Sequence, residues 1–202
     1  MSSLRDVTVV VANTETGDTY LARSYPHDDY DDNGRIELYR VPVHKVFIKG
    51  TDASNKEQTK TWRAVRFFPY WNDPKKPDPH YRTKGWVNAG LHALTKRAVP
   101  RYKPDYGVQN CHSPFAGAIV MRDSFYIHAG PQSLSEQGWG SAGCVEIVGN
   151  FDTFKNDIRL LSGSTKSGSR EAIIELVKAR KLFIQVKYAT PPDIKLHFVK
   201  EV

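Results

Sequence analysis

The sequence predicts a mainly β domain with a few helices, of the α+β class. Three observations predict it. Short runs of β-branched and aromatic residues, bounded by Gly, Pro, Asn and Asp, recur between Val7 and Val148. Helical spacing is strong only near the carboxyl end, where Phe151, Phe154, Ile158 and Leu161 share one face. The chain has 202 residues, 40% hydrophobic and 25% charged, which is enough for one domain to bury a full core without disulfide or metal staples.

Residues 1–202 read as a single domain. The amino-terminal β region spans 1–71. Val7 to Ala12 is β-branched and of strand length. Thr14 to Asp18 reads as a turn, and Tyr20 to Tyr25 as a second strand. Tyr25 to Gly34 is an acidic surface turn; its carboxylates lack the spacing and terminal glutamate of a calcium loop. Arg35 to Lys49 alternates until Pro42 interrupts it, giving one or two strands. Thr51 to Lys60 is polar and loop-like, and Thr61 to Trp71 is a further strand. Residues 72–86 carry prolines among Lys75, Lys76, Arg82 and Lys84, so they form a surface loop rather than helix or central strand. Val87 to Arg97 reads as a short helix ended before Pro100. Within the segment 104–150, Tyr106 to Gly130 is the densest apolar region, with a hairpin of Ala116 to Arg122 and Ser124 to His128 turning at Arg122-Asp123. Ser141 to Val148 is a small-residue turn running into a strand. In 151–202, Asn150 caps the first helix and Gly163 ends it. Arg170 to Lys181 is a second amphipathic helix, and Leu182 to Val199 returns to strand, broken at Pro191-Pro192.

Lys and Arg number 29 against 22 Asp and Glu, a formal charge of +7. This favours anionic partners such as nucleic acid, a membrane surface or an acidic wall polymer. No nucleic-acid module and no Gly-rich phosphate loop is present, so nucleic acid is set aside. No run approaches the ~18 apolar residues of a membrane helix. The first residues lack a basic segment followed by a long apolar core. The expectation is therefore synthesis in the cytoplasm without a signal peptide.

Two cysteines, Cys111 and Cys144, are too few for a disulfide framework. Cys144 lies in Ser141-Ala142-Gly143-Cys144-Val145, sixteen residues after His128 in Ile127-His128-Ala129-Gly130. Small residues before a cysteine let a carbonyl substrate approach the backbone, and N–H groups in that turn can face a developing oxyanion. An imidazole within reach would draw the thiol proton. Together these are the parts of a thiolate acyl-transfer site. Alternatives stay open at this point. Cys111-His112 is a rival dyad, a Cys111–Cys144 disulfide would inactivate the thiol, and Cys111, His112, His128 and Cys144 lack the paired spacing of structural zinc sites. Trp71, Trp86, Tyr126 and Trp139 line a cleft or belong to the core. His27, His44, His80, His92 and His197 have no motif and default to surface or satisfied core.

The segment from about 104 to 150 resembles the catalytic signature of the L,D-transpeptidase (YkuD-type) family. There, Ile-His-Gly lies some sixteen residues before Ser-His-Gly-Cys. The resemblance implies a YkuD-like β-sandwich core with an elaborated amino-terminal region. It implies Cys144 as nucleophile, His128 as base and then acid, and the Ala129 carbonyl orienting the imidazole. Ser141 would support the turn, and the N–H groups of Gly143 and Cys144 would form the oxyanion hole. No cofactor or metal is implied. Two positions depart from the pattern: Ala142 replaces the second histidine, and Glu146 stands where arginine usually follows the cysteine. Glu146 is expected to repel substrate carboxylates, with Lys75, Lys76, Arg82 and Lys84 as the compensating cations and Trp139 beside the substrate. The implied partners are peptidoglycan stem peptides. The implied reactions are L,D-transpeptidation, L,D-carboxypeptidation or D-amino-acid exchange. A wall enzyme without a signal peptide also resembles antibacterial effectors delivered by a secretion apparatus and neutralised by an immunity protein. It would act in the periplasm or cell wall. A non-catalytic wall-binding domain of the same fold is the alternative.

Overall fold

A computed structural model gives the architecture and describes residues 4–23, 25–26, 33–71, 85–87, 94–107, 115–122, 125–138, 144–190 and 198–201. It is mainly β with two helices. In chain order the elements are β1 (Val7–Arg23), β2 (Tyr25–Pro26), β3 (Glu37–Thr51), β4 (Glu57–Val65), β5 (Phe68–Trp71), β6 (Gly85–Val87), β7 (Leu94–Ala98), β8 (Arg101–Lys103), β9 (Ala118–Arg122), β10 (Phe125–Ala129), β11 (Gln137–Gly138) and β12 (Val145–Ile147). Then follow α1 (Phe151–Ser162), α2 (Ser169–Lys178), β13 (Leu182–Val186) and β14 (Phe198–Glu201). Among the described residues, one mixed sheet runs β7-β13-β1-β3-β4-β12-β10-β9-β8. β11 pairs with β1, β14 pairs with β3, and β2, β5 and β6 form a second, small sheet.

The sheet has two faces because side chains alternate along each strand. One face carries Val9, Val11, Val46, Ile48, Ile119, Ile127, Val145, Ile147, Leu182 and Ile184, all buried. It is covered by Phe151, Phe154, Ile158 and Leu161 of α1 and by Ile173 and Leu176 of α2. The Asn150 side chain accepts from the Thr153 N–H at the start of α1, and Gly163, at φ 68°, closes it through Leu160 O. α1 also anchors the start of β9: the buried Lys155 ammonium donates to Ala116 O at 2.8 Å. The other face holds Tyr20, Val41, Val43 and Val65 near the sheet centre. Further along it are Ala118, Val120, Tyr126 and Cys144.

Several boundaries differ from the sequence expectation. Thr14 to Asp18 is no turn. β1 runs through it, absorbing the polar residues at two register shifts against β3, with Gly17 at φ 88°. Pro42 likewise does not break β3; it lies beside those shifts, where a missing N–H is tolerated. The polar stretch 51–60 is a turn only over 52–56. Glu57 to Lys60 already pair with Thr51 to Ile48, and their outward side chains are mostly exposed, which made a strand look like loop. Thr61 to Trp71 is two strands divided at Arg66-Phe67, β4 in the large sheet and β5 in the small one. The helix expected over Val87 to Arg97 is replaced over 94–98 by β7. There the edge of β13 takes Leu94 and Ala98 as partners, and tertiary pairing overrides local propensity. The second helix starts at Ser169 and ends at Lys178.

At the break in β4, Arg66 is buried at 2% exposure. Its guanidinium donates to Ala12 O at 2.6 Å and to Lys187 O at 2.8 Å, tying β4 to β1 and to the residue that leaves β13. Burial lowers its pKa to about 10, so it remains a cation at neutral pH. His44 is buried beside Phe67, and its Nδ1 has no hydrogen-bond partner among the described residues. It is therefore a core histidine satisfied on one side only, by a hydrogen bond with the Pro42 backbone. Burial, then the Arg66 charge, lowers its pKa to about 4.

Candidate active site

β10 and β12 are parallel neighbours, with Ile127 opposite Val145 and His128 opposite Glu146. Register partners share a face, and residues two apart on a strand share it too. His128, Glu146, Tyr126 and Cys144 therefore stand on the sheet face away from the helices. The pairing continues sideways on that face: Lys103, Ala118, His128, Glu146, Val65 and Val43 form one row across five strand boundaries. Cys144 lies one strand over from His128 and two residues along. Strand spacing and rise put their Cα atoms about 8 Å apart, a gap that an imidazole and a thiol reaching towards each other can close.

The imidazole is held in one tautomer. Its Nδ1 lies 2.7 Å from the carbonyl oxygen of Ala129. A carbonyl only accepts, so Nδ1 carries the hydrogen and donates it, and Nε2 keeps its lone pair. His128 is 1% exposed, and Nε2 has no hydrogen-bond partner among the described residues. Burial outweighs the Ala129 bond and lowers the imidazole pKa to about 4, so the ring is neutral at neutral pH. The result is a buried, oriented, unprotonated nitrogen base. Tyr106 packs against it with ring centroids 5.4 Å apart and meets Tyr126 edge-on at 4.8 Å. Cys144, a thiol 7% exposed, packs in the same cluster as Tyr126 and Tyr106.

The residues after His128 have packing reasons of their own. A Cβ on Gly130 would lie 2.7 Å from Glu146 Cβ and 2.9 Å from Ile147 O. Only glycine fits there, and its N–H donates to Ile147 O at 2.9 Å. Gly149 N–H donates to Pro131 O at 2.8 Å, so the ends of β10 and β12 are zipped together just beyond the histidine.

Glu146 corrects the sequence expectation. It is 2% exposed, and burial raises its pKa to about 8. At neutral pH it is mostly the uncharged acid, so it is not an anion repelling substrate. The reason is register: its position opposite His128 and Val65 turns it into the sheet interior face rather than to a rim.

Of the predicted site residues, the sheet brings Cys144, His128 and Ala129 together with Tyr126. Ser141, Gly143 and Trp139 lie outside the described residues, as do Lys75, Lys76, Arg82, Lys84, Cys111 and His112, and the side chains of Trp71 and Trp86. The acidic turn 27–32 and His27, His80, His92 and His197 also lie outside them. Among the described residues no three His, Cys, Asp or Glu side chains gather as metal ligands, and no helix is long and apolar enough to cross a membrane. Sequence reasoning missed Arg101, Lys103 and Tyr106, which share this end of the sheet. The alternation of Arg101-Tyr102-Lys103 on a short strand was the available signal. The chain matches no protein-family model, no curated protein and no solved structure.

Proposed function

We propose that the protein is a cysteine acyltransferase acting on peptidoglycan stem peptides, a divergent relative of the L,D-transpeptidases with a YkuD-like core. The observation that carries the reading is the state of His128. Its Nδ1–H is committed to Ala129 O, and its Nε2 is a buried lone pair with no partner among the described residues, on the same sheet face as the Cys144 thiol. A buried acceptor without a donor is costly, and it is what a resting general base requires.

In the reaction, Nε2 takes the proton from Cys144 as Sγ attacks the carbonyl that precedes the terminal D-residue. By the family resemblance, the backbone N–H groups of Gly143 and Cys144 stabilise the tetrahedral oxyanion. It collapses with cleavage of the C–N bond. The departing amine takes the proton from Nε2 and leaves a thioester. Water or an acceptor amine then gives a proton to Nε2 as it attacks the thioester, and the proton returns to sulfur. Water yields carboxypeptidation; an amine yields cross-linking or exchange. We place its action in the periplasm or wall, as an effector delivered to a target cell.

The test combines intact mass after exposure to a carbapenem with product analysis on purified stem tetrapeptides. The expected result is a covalent adduct on Cys144 and release of the terminal D-residue, both lost in Cys144→Ala. An unmodified thiol together with intact peptides that nevertheless bind would replace this reading with a wall-binding domain.

A further inference from the structure

We propose that Arg101, Lys103 and the Tyr126 hydroxyl form a carboxylate subsite beside Cys144, which takes an anionic group of the peptide whose carbonyl the thiol attacks. The identity of that peptide rests on the acyl-transfer reading above; the anion preference does not.

β8 is the edge strand at the site end of the sheet. Alternation splits its three residues. Tyr102 points to the helix side, where its hydroxyl accepts from Lys155 at 3.5 Å. Arg101 and Lys103 point to the site face. Lys103 shares the cross-strand row of His128, with only Ala118 between them. Arg101 lies opposite Val120, which lies opposite Tyr126, the position beside Cys144. Two strand spacings put Lys103 about 10 Å from His128 between Cα atoms, and the lysine side chain spans much of that gap.

The lysine is exposed, but its ammonium reaches Tyr126. Its ammonium donates to Tyr126 Oη at 2.7 Å and stands 4.8 Å above the Tyr126 ring. Cations on an edge strand also keep other chains from pairing there, but that role needs no bond to a buried tyrosine. Because Tyr126 Oη accepts from Lys103, its own O–H is left to donate. The ammonium keeps further N–H donors, and Arg101 adds a planar fork suited to a carboxylate. Neither cation has a carboxylate partner among the described residues. The nearest acid in sequence, Asp105, is paired with Arg170 at 2.7 Å. Glu146, on the same face, is held uncharged by burial. Among the described residues the site face therefore carries positive charge and a hydroxyl donor with no anion to match them.

Alkylation of Cys144 tests this without any enzymatic turnover. Rates with iodoacetate and with iodoacetamide differ only by the reagent's charge, so their ratio reads the field at the thiol. Lys103→Met and Arg101→Met together should lower the iodoacetate rate about threefold to tenfold at low salt. The iodoacetamide rate and the melting temperature should stay as in the parent. A smaller drop is expected from either substitution alone. A ratio unchanged by the double substitution overturns the proposal. So does a thiol inert to both reagents, since a site open to a substrate carboxylate must admit iodoacetate. Loss of the ratio's dependence on these residues would leave the acyl-transfer reading standing. Absence of turnover with the dependence intact would do the reverse.

Discussion

A buried histidine with one nitrogen bonded to a carbonyl and the other without a partner among the described residues behaves differently from one in solvent. Burial holds His128 neutral down to about pH 4, so the base is ready across the whole physiological range. The same burial disfavours a resting thiolate–imidazolium pair, because the imidazolium is the charged form that desolvation penalises. Proton transfer then accompanies attack rather than preceding it. The acidic limb of kcat/KM should accordingly fall near pH 4 to 5 instead of near 6.5, measured as a pH–rate profile on a stem peptide. A limb near 6.5 would mean that the imidazole works in water. His128→Ala should remove the limb along with most of the activity.

Elements succeed or fail here by how closely their backbones approach. The glycine of Ile127-His128-Ala129-Gly130 is set by the Glu146 Cβ of the adjacent strand. Gly130→Ala should therefore cost about 1–3 kcal/mol through forced backbone movement, read as a lowered denaturation midpoint. Activity should fall further than stability alone explains, since the shift would move β10 against β12. An alanine variant as stable as the parent would show that the pair of strands has slack. At this scale the sequence was legible wherever a local device announced itself. The helix from Phe151 with its Asn150 cap and Gly163 stop, and the hairpin turning near Arg122, are such devices. It was not legible where the partner lay far off. Leu94 to Ala98 is strand because β13 is there to receive it, and no feature within those five residues says so. Cys144 and His128 were readable as candidates from small-residue spacing, and Ala129 from the family resemblance. The cations of β8 were not, because sequence proximity pointed to the 75–84 loop, while the sheet put Arg101 and Lys103 on the site face. The charge state of Glu146 was misread for the same reason, since burial is a property of register.

At the scale of the molecule, three buried titratable groups among the described residues set how stability varies between pH 4 and 8. His44 and His128 each fall from 6.5 to about 4 on folding. The unfolded chain then binds more protons between those values, and stability rises with pH there. Glu146 rises from 4.5 to about 8, so the folded chain holds the extra proton over that window and stability falls with pH. Each contributes up to roughly 1.4 kcal/mol per pH unit. Between pH 4.5 and 6.5 two rising terms oppose one falling term; from 6.5 to 8 only the fall remains. Maximum stability is expected near pH 6.5, with a loss on the order of 2 kcal/mol by pH 8, measured by denaturant titration. Glu146→Gln should flatten the alkaline side and steepen the rise between pH 4.5 and 6.5, where its falling term opposes the two histidines. A wild-type curve flat from 6.5 to 8 would mean that Glu146 is ionised inside the fold.

The parallel pairing of β1 with β13 has a consequence for the birth of the chain. Val7 lies beside Leu182, and Asp6 meets Lys181 across 175 positions. During translation at ~5–20 residues per second, roughly 10–35 s separate the emergence of one from the other. β3 follows within that interval and covers one edge of β1 early; on the other edge β11 reaches Leu21 and Ala22, but Val7 to Val11 wait until residues 182–186 have emerged. The large sheet is therefore not complete before residues 182–186 have been made, and until then the valines at its amino-terminal end lack that neighbour.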